Sequence, residues 1–262
     1  MTDSSTLLHD GDYGLIEGYR NDHTVFGHYC RNGSWSSPLL SLIVRQLGDT
    51  GGTFIDVGAN IGLVSIPVAQ RTSATCVAIE AEPRNFALLE RNVERQGLKE
   101  RVITHHCAAV DSKGWVAMAR AARNYGDHHV VASLDNAQLR VRAAPLDLLL
   151  AGERLLDPIV MKVDTQGCED RVLAGAAALL PRLSALVVEY WPAGLQRAGG
   201  DRQRLHHILK AFPYATILDQ QSDIVPELRS TEDLLAGLNG LLQDDDPGFF
   251  DLWMQPNRKH ER

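Results

Sequence analysis

From Thr53 onward, apolar and polar positions alternate between runs that suit strands and stretches at helical spacing. The first unit reads Thr-Phe-Ile-Asp-Val-Gly-Ala-Asn-Ile-Gly over 53–62, followed by Leu63, Val64, Ile66 and Val68. This predicts a strand over Thr53–Val57, a glycine-spaced turn and a helix start. A second strand is expected over Thr75–Glu80. Glu82-Pro83 then opens a helix with Phe86, Leu89 and Val93 on one face, ending near Gly97. A third strand over 101–107 leads into Ala108, Ala109 and Val110. Strands 4, 5, 6 and 7 are expected at 159–164, 185–190, 214–219 and 248–254. Between them come helices at 169–180 and 202–212, and one opened by a Ser230–Asp233 capping box and running to Leu242.

Two stretches break this rhythm. Residues 114–144 read as three short strands (115–119, 129–133 and 139–143) with Asp135-Asn136 as a turn, and the polar loop 123–129 suits a substrate lid. Ahead of Gly51, 15–19 and 24–29 are expected to pair as a hairpin across Asn21-Asp22. Ser37-Pro38 should start a helix, with Ser37 as its cap and Leu39, Leu42, Ile43 and Leu47 facing the sheet. Asp244 and Asp246 fall in an expected solvated loop. The result is an α/β fold with a seven-stranded, mostly parallel sheet, an antiparallel strand 7 and a small β insertion after strand 3.

The turn after strand 1 offers backbone N–H groups to an anionic ligand. Gly58 permits a sharp turn, and Gly62 is expected to let a ligand approach the helix. A dinucleotide fingerprint needs G-x-G-x-x-G, but Asn60 replaces its second glycine and the last glycine comes one position early. The pattern D-x-G-x-N-x-G from Asp56, with Glu80 closing strand 2 about twenty residues on, fits S-adenosylmethionine (SAM) better. Glu80 would take the ribose hydroxyls. Ala81, Cys107 and Ala108 would form a slot for the adenine ring.

The 262 residues are 44% hydrophobic and 23% charged, ordinary for one globular α/β domain. A formal net charge of -7 argues against a dedicated nucleic-acid partner. No run is long enough to span a membrane, and Met-Thr-Asp-Ser-Ser lacks the basic and apolar segments of a signal peptide. Cys30, Cys76, Cys107 and Cys168 form no C-x-x-C pair, which suits reduced thiols and a cytoplasmic location.

With these elements placed, the sequence resembles the FkbM family of SAM-dependent methyltransferases. The resemblance rests on 54–62, on Ala78-Ile79-Glu80-Ala81-Glu82-Pro83, on Met161-Lys162-Val163-Asp164-Thr165-Gln166-Gly167-Cys168-Glu169, on Val172-Leu173-Ala174-Gly175-Ala176 and on Asn124-x-Gly126-Asp127-His128. Many members carry valine–glutamate where this chain has Thr165-Gln166. The resemblance implies a class I, Rossmann-like fold and O-methylation of a small natural product or glycoside. Residues 51–256 would form the catalytic domain, with 1–50 covering its site and 257–262 as a flexible tail. RNA or protein methylation, or a non-catalytic SAM-binding scaffold, are the alternatives; a dehydrogenase is disfavoured by Asn60 and the early glycine.

Such a reaction needs the hydroxyl held in line, its proton removed and water kept out. His128, an imidazole in the inserted loop, is the expected general base. Asp164 and Glu189 at strand ends complete the catalytic set with Lys162; Asp164 could bind the SAM amino group, face the substrate, or both. That lysine shares a strand face with Asp164 and, in an apolar strand, should pair with Asp56 or Glu189. Mg²⁺ held by Asp164 and Glu189 is a less favoured alternative, lacking a clear third ligand. Tyr29, Trp35, Tyr125 and Trp191 could line an acceptor pocket, although a tryptophan such as Trp35 is more often simply core. The expected partner is a small hydroxyl compound, with neither nucleic acid nor membrane; a homo-oligomer is compatible with the chain.

Overall fold

The computed structural model describes residues 5–49, 51–121, 124–131, 139–218, 227–242 and 248–256. Arg123, Ser133, Asp135, Asn136, Asp219, Asp244, Asp246 and the 257–262 tail, which figured in the sequence expectations, lie outside them.

The chain opens with a hairpin of β1 (Thr6–Gly11) and β2 (Gly14–Tyr19), followed by α1 (Val25–Asn32) and α2 (Ser37–Leu47). The expected pairing of 15–19 with 24–29 is therefore wrong. Asp22 decides the outcome: its carboxylate accepts the N–H groups of Thr24, Val25 and Phe26 at 2.9–3.1 Å and starts a helix there. The β2 partner lies upstream, across Asp12-Tyr13. The second helix begins one residue earlier than expected: Ser36, in the left-handed region at φ 47°, takes the capping position in place of Ser37.

The core follows with β3 (Thr53–Val57), α3 (Ser65–Arg71), β4 (Thr75–Glu80), α4 (Pro83–Arg95) and β5 (Val102–His106). The insertion comprises β6 (Ala108–Ala109), β7 (Gly114–Ala119), β8 (His129–Val130) and β9 (Leu139–Ala144), which form their own four-stranded sheet. After α5 (Leu146–Leu149) come β10 (Ile159–Val163), α6 (Glu169–Ala174), β11 (Leu183–Tyr190), α7 (Pro192–Arg197), α8 (Arg202–Leu209), β12 (Tyr214–Ile217), β13 (Arg229–Ser230), α9 (Thr231–Leu241) and β14 (Phe250–Gln255). Helices α5 and α7 were not anticipated, and α6 stops at Ala174, six residues short of the expected end.

The main sheet runs β13-β12-β14-β11-β10-β3-β4-β5: the seven expected strands plus the two-residue edge strand β13. The five strands from β11 to β5 are parallel, and β14 is antiparallel between β11 and β12. Every residue of β3 and β10 is buried. Ile55, Val57, Met161 and Val163 face one layer with α6 and α8; Phe54 and Val160 face the other with α2, α3 and α4. Each such apolar side chain stabilises the fold by about 1.5–3 kcal/mol. Helices on both sides and open carboxyl ends leave the ligand site where β3 and β10 diverge. No helix among the described residues is long and apolar enough to cross a membrane.

Candidate active site

The loop after β3 turns through positive φ at Gly58 (82°), Asn60 (52°) and Gly62 (96°). A Cβ at Gly58 would lie 1.9 Å from the Asp164 carbonyl oxygen, so only glycine allows β3 and β10 to separate here. Gly62 has a different role from the one expected. A Cβ there would meet Ile66 and Leu89 at 2.9 and 3.0 Å; the residue packs helix against loop and does not line the cavity. Asp56 is fully buried, accepts a 2.6 Å bond from Ser65 Oγ and also stays out of the cavity; it orders the loop from beneath.

Glu80, at the carboxyl end of β4, does line the cavity. Its Oε2 accepts the Asn60 N–H and its Oε1 the Glu82 N–H, both at 2.8 Å, leaving further lone pairs on both oxygens. Burial, partly offset by these two bonds, pushes its pKa up to about 7. Ala81, Cys107 and Ala108 line the same end, beside Ile79, Met118 and Val130. Hydroxyl groups donating to Glu80 would favour its ionised form. Affinity for S-adenosylhomocysteine (SAH) is therefore expected to tighten as pH rises through about 7, and Glu80→Gln should flatten that dependence in a calorimetric titration. Without ligand the sign reverses. A raised carboxyl pKa means the native state binds the extra proton, so Glu80's contribution to stability is full below its unfolded value and lost as pH climbs to about 7.

Lys162 and Asp56 sit opposite each other in the β10–β3 register. The buried amine lies 3.4 Å from Asp56 Oδ1 and 3.2 Å from Asp164 Oδ2. Burial lowers its pKa, but Asp164 and Asp56 override that and the net shift is upward. Glu189 is not its partner. Instead Gln166, held at φ 59°, donates its side-chain N–H groups to Asp164 Oδ1 at 2.8 Å and to both Glu189 oxygens at 3.0 and 3.1 Å. Glu169 fixes this loop by accepting bonds from Thr165 and Gly167. Burial first, then the charges of Asp164, Glu169 and Asp251, holds Glu189 well above the usual carboxylate range. Among the described residues no group of three or more His, Cys, Asp or Glu side chains is arranged to hold a metal.

The inserted loop forms part of the cavity wall. The Tyr125 carbonyl accepts bonds from Asn85 Nδ2 at 2.9 Å and Asn60 Nδ2 at 3.4 Å, and its ring stacks on Tyr19 at 4.7 Å. Asp127 pairs with Arg197 at 2.7 Å. His128 lines the cavity but is not set up as a base. Its Nδ1 accepts the Ala121 backbone N–H at 3.0 Å, so the neutral ring carries its proton on Nε2, where a base would need a lone pair. Burial lowers its pKa, partly offset by Glu82. No spacing in the sequence reveals which ring nitrogen meets the backbone.

Trp35 and Trp191 also line the cavity, and Arg197 stacks on Trp191 at 4.6 Å. Tyr29 does not; it is core, stacked on Tyr13. Gln166 and Asn85 are cavity residues that the sequence expectations omitted. Gln166 carried a signal, as a departure from the family pattern beside Asp164. Asn85 carried only its place in the first turn after Glu82-Pro83.

The methyltransferase FkbM domain model matches residues 56–213, which include this loop, Glu80, the inserted sheet and the Asp164–Glu189 pair. No curated protein matches the chain significantly. Solved structures with a similar fold include an FkbM methyltransferase from Methylobacillus flagellatus KT, at 17% identity and TM-score 0.48. That match covers 79% of this chain but 44% of that one, so the present chain spans less than half of its length. An O-methyltransferase from Bacillus cereus in complex with SAH is 13% identical, with TM-score 0.44 and coverage of 83% and 79%. TrmK from M. capricolum in complex with SAH is 11% identical, with TM-score 0.44 and coverage of 86% and 71%. On the match to the family model over more than half its length, the chain belongs to the FkbM family of methyltransferases.

Proposed function

We propose that the protein methylates a hydroxyl group of a small natural product or sugar. One observation carries this reading: a single cavity of about 640 Å³ runs from Glu80 and its apolar slot to the Asp164–Glu189 pair, flanked by Trp35 and Trp191. Four of its lining residues end in an orphaned buried atom: Asn60 Oδ1, Asn85 Oδ1 and His128 Nε2, which lie toward the Glu80 end and suit a polar, flat ligand such as a nucleoside, and Trp191 Nε1, just past the end of β11. When bound there, SAM supplies an electrophilic methyl group. Glu80 would hold the ribose, and Ala81, Cys107 and Ala108 the ring.

The acceptor end falls to the chain's own side chains. Gln166 bonds both Asp164 and Glu189, but only Asp164 is also paired with Lys162; Glu189, among the described residues, pairs with no cation. A carboxylate with a raised pKa is the stronger proton acceptor, so Glu189 takes over the base role first expected of His128. Trp35 and Trp191 offer apolar faces on which a sugar or polyketide ring can rest and which keep water away.

The test is incubation with SAM and a panel of glycosides, hydroxylated polyketides, peptides and RNA, reading SAH release and the mass gain of one methyl group. Turnover confined to hydroxyl compounds supports the proposal. Turnover on RNA or peptide alone would overturn it.

A further inference from the structure

His128 and Asn85 each end in a buried polar atom that nothing satisfies. His128 is 7% exposed and Asn85 2%, and both line the cavity. Their hydrogen-bonding senses are fixed by what their other atoms do. Because His128 Nδ1 accepts the Ala121 N–H, its unpartnered Nε2 is a donor. Because Asn85 Nδ2 donates to the Tyr125 carbonyl, its unpartnered Oδ1 is an acceptor. Leaving such groups unmet at this depth is costly, and a ligand that satisfies them recovers that cost.

Their position says which part of a ligand they meet. Asn85 lies in the first turn of α4, which Glu82 caps through the N–H groups of Arg84 and Asn85. His128 directly precedes β8, whose Val130 pairs with Met118 of β7. Both side chains therefore border the slot formed by Ile79, Ala81, Ala108, Met118 and Val130, beyond Glu80. Asp164 and Glu189 stand at the ends of different strands, β10 and β11.

We propose that Asn85 Oδ1 and His128 Nε2–H form an acceptor–donor pair that reads the edge of the cofactor's adenine. The exocyclic amine donates to Asn85, and a neighbouring ring nitrogen accepts from His128. The proposal rests on SAM being the cofactor. It gives the inserted loop a part in cofactor selection: this loop closes the purine slot with a directed hydrogen bond. A base with a carbonyl and a protonated ring nitrogen at those places, as in hypoxanthine, would set acceptor against acceptor and donor against donor.

Calorimetric titration with SAH and with S-inosylhomocysteine tests this on the native protein and on two variants. His128→Asn keeps an acceptor near the Nδ1 position for Ala121 and removes the distal donor; His128→Gln places a donor near the Nε2 position. Native protein is expected to prefer SAH over the inosyl compound by about 10-fold or more, a discrimination typical of buried hydrogen bonds. His128→Asn should weaken SAH binding by about 10-fold and shrink the preference, while His128→Gln stays within about 3-fold of native. Thermal melts of both variants identify any loss of folding, and the ratio of the two affinities within one variant is unaffected by it. If native protein binds both compounds equally, or His128→Asn leaves SAH affinity and preference unchanged, the proposal fails while the cofactor assignment stands. No SAH binding by native protein would overturn both.

Discussion

Gly58→Ala is expected to destabilise the protein by more than about 3 kcal/mol and to weaken SAH binding at least 100-fold. Two separate effects add. An alanine at φ 82° occupies the left-handed region at a cost of about 1–2 kcal/mol. The new methyl would also lie 1.9 Å from the Asp164 carbonyl, a backbone atom that cannot swing aside. Either the loop moves off β10 or Asp164 moves away from Lys162, and both disrupt the ligand end of the sheet. Gly97→Ala is the matching control: its φ is 68°, but nothing lies within 4 Å of the added carbon. It should cost only the conformational part, about 1 kcal/mol, and leave SAH affinity unchanged. Paired thermal melts and titrations decide the matter; equal losses in the two variants would show that the Asp164 contact is unimportant.

Glu189→Gln should lower turnover by about 10²–10⁴ once an acceptor is in hand, the range for loss of a general base. SAH affinity should stay within about 3-fold, since Gln166 can still bond the amide oxygen. In the native enzyme turnover should rise with pH through a value above the ordinary carboxylate range, because Glu189 must be ionised to accept the proton. That limb should vanish from the residual activity of the variant, and Glu189→Asp should restore part of the rate. If His128→Asn removed the limb instead, the base assignment would revert to the imidazole.

The parallel strands were legible because burial on both faces makes them continuous apolar runs with sharp ends. Thr53–Val57 and Thr75–Glu80 match the expected bounds, closed by a glycine turn and an acid. The segment Val25–Asn32 was not, because Val25, Phe26 and Tyr29 suit either strand or helix. The choice rests on three backbone bonds to Asp22, which local propensity does not reveal. The candidate site divides in the same way. Glu80, Asp164 and Glu189 could be placed because they end strands at the ligand edge. The Lys162 pairing was half read: Asp56 follows from strand order, while Asp164 needs the bend of the loop beyond it. His128 was found, but its chemistry turns on the Ala121 N–H, a contact that depends on how the inserted sheet folds back.

Helix α4 holds the two pieces that sequence order keeps apart. Asn92 bonds both the N–H and the carbonyl of Glu17, while Arg91 and Arg95 grip the Glu17 carboxylate. At its other end Asn85 holds the Tyr125 carbonyl, and Arg84 lies over the rings of both Tyr19 and Tyr125. The amino-terminal hairpin and the inserted loop therefore share one cooperative unit with this helix, and neither can open without loosening the anchors of the other.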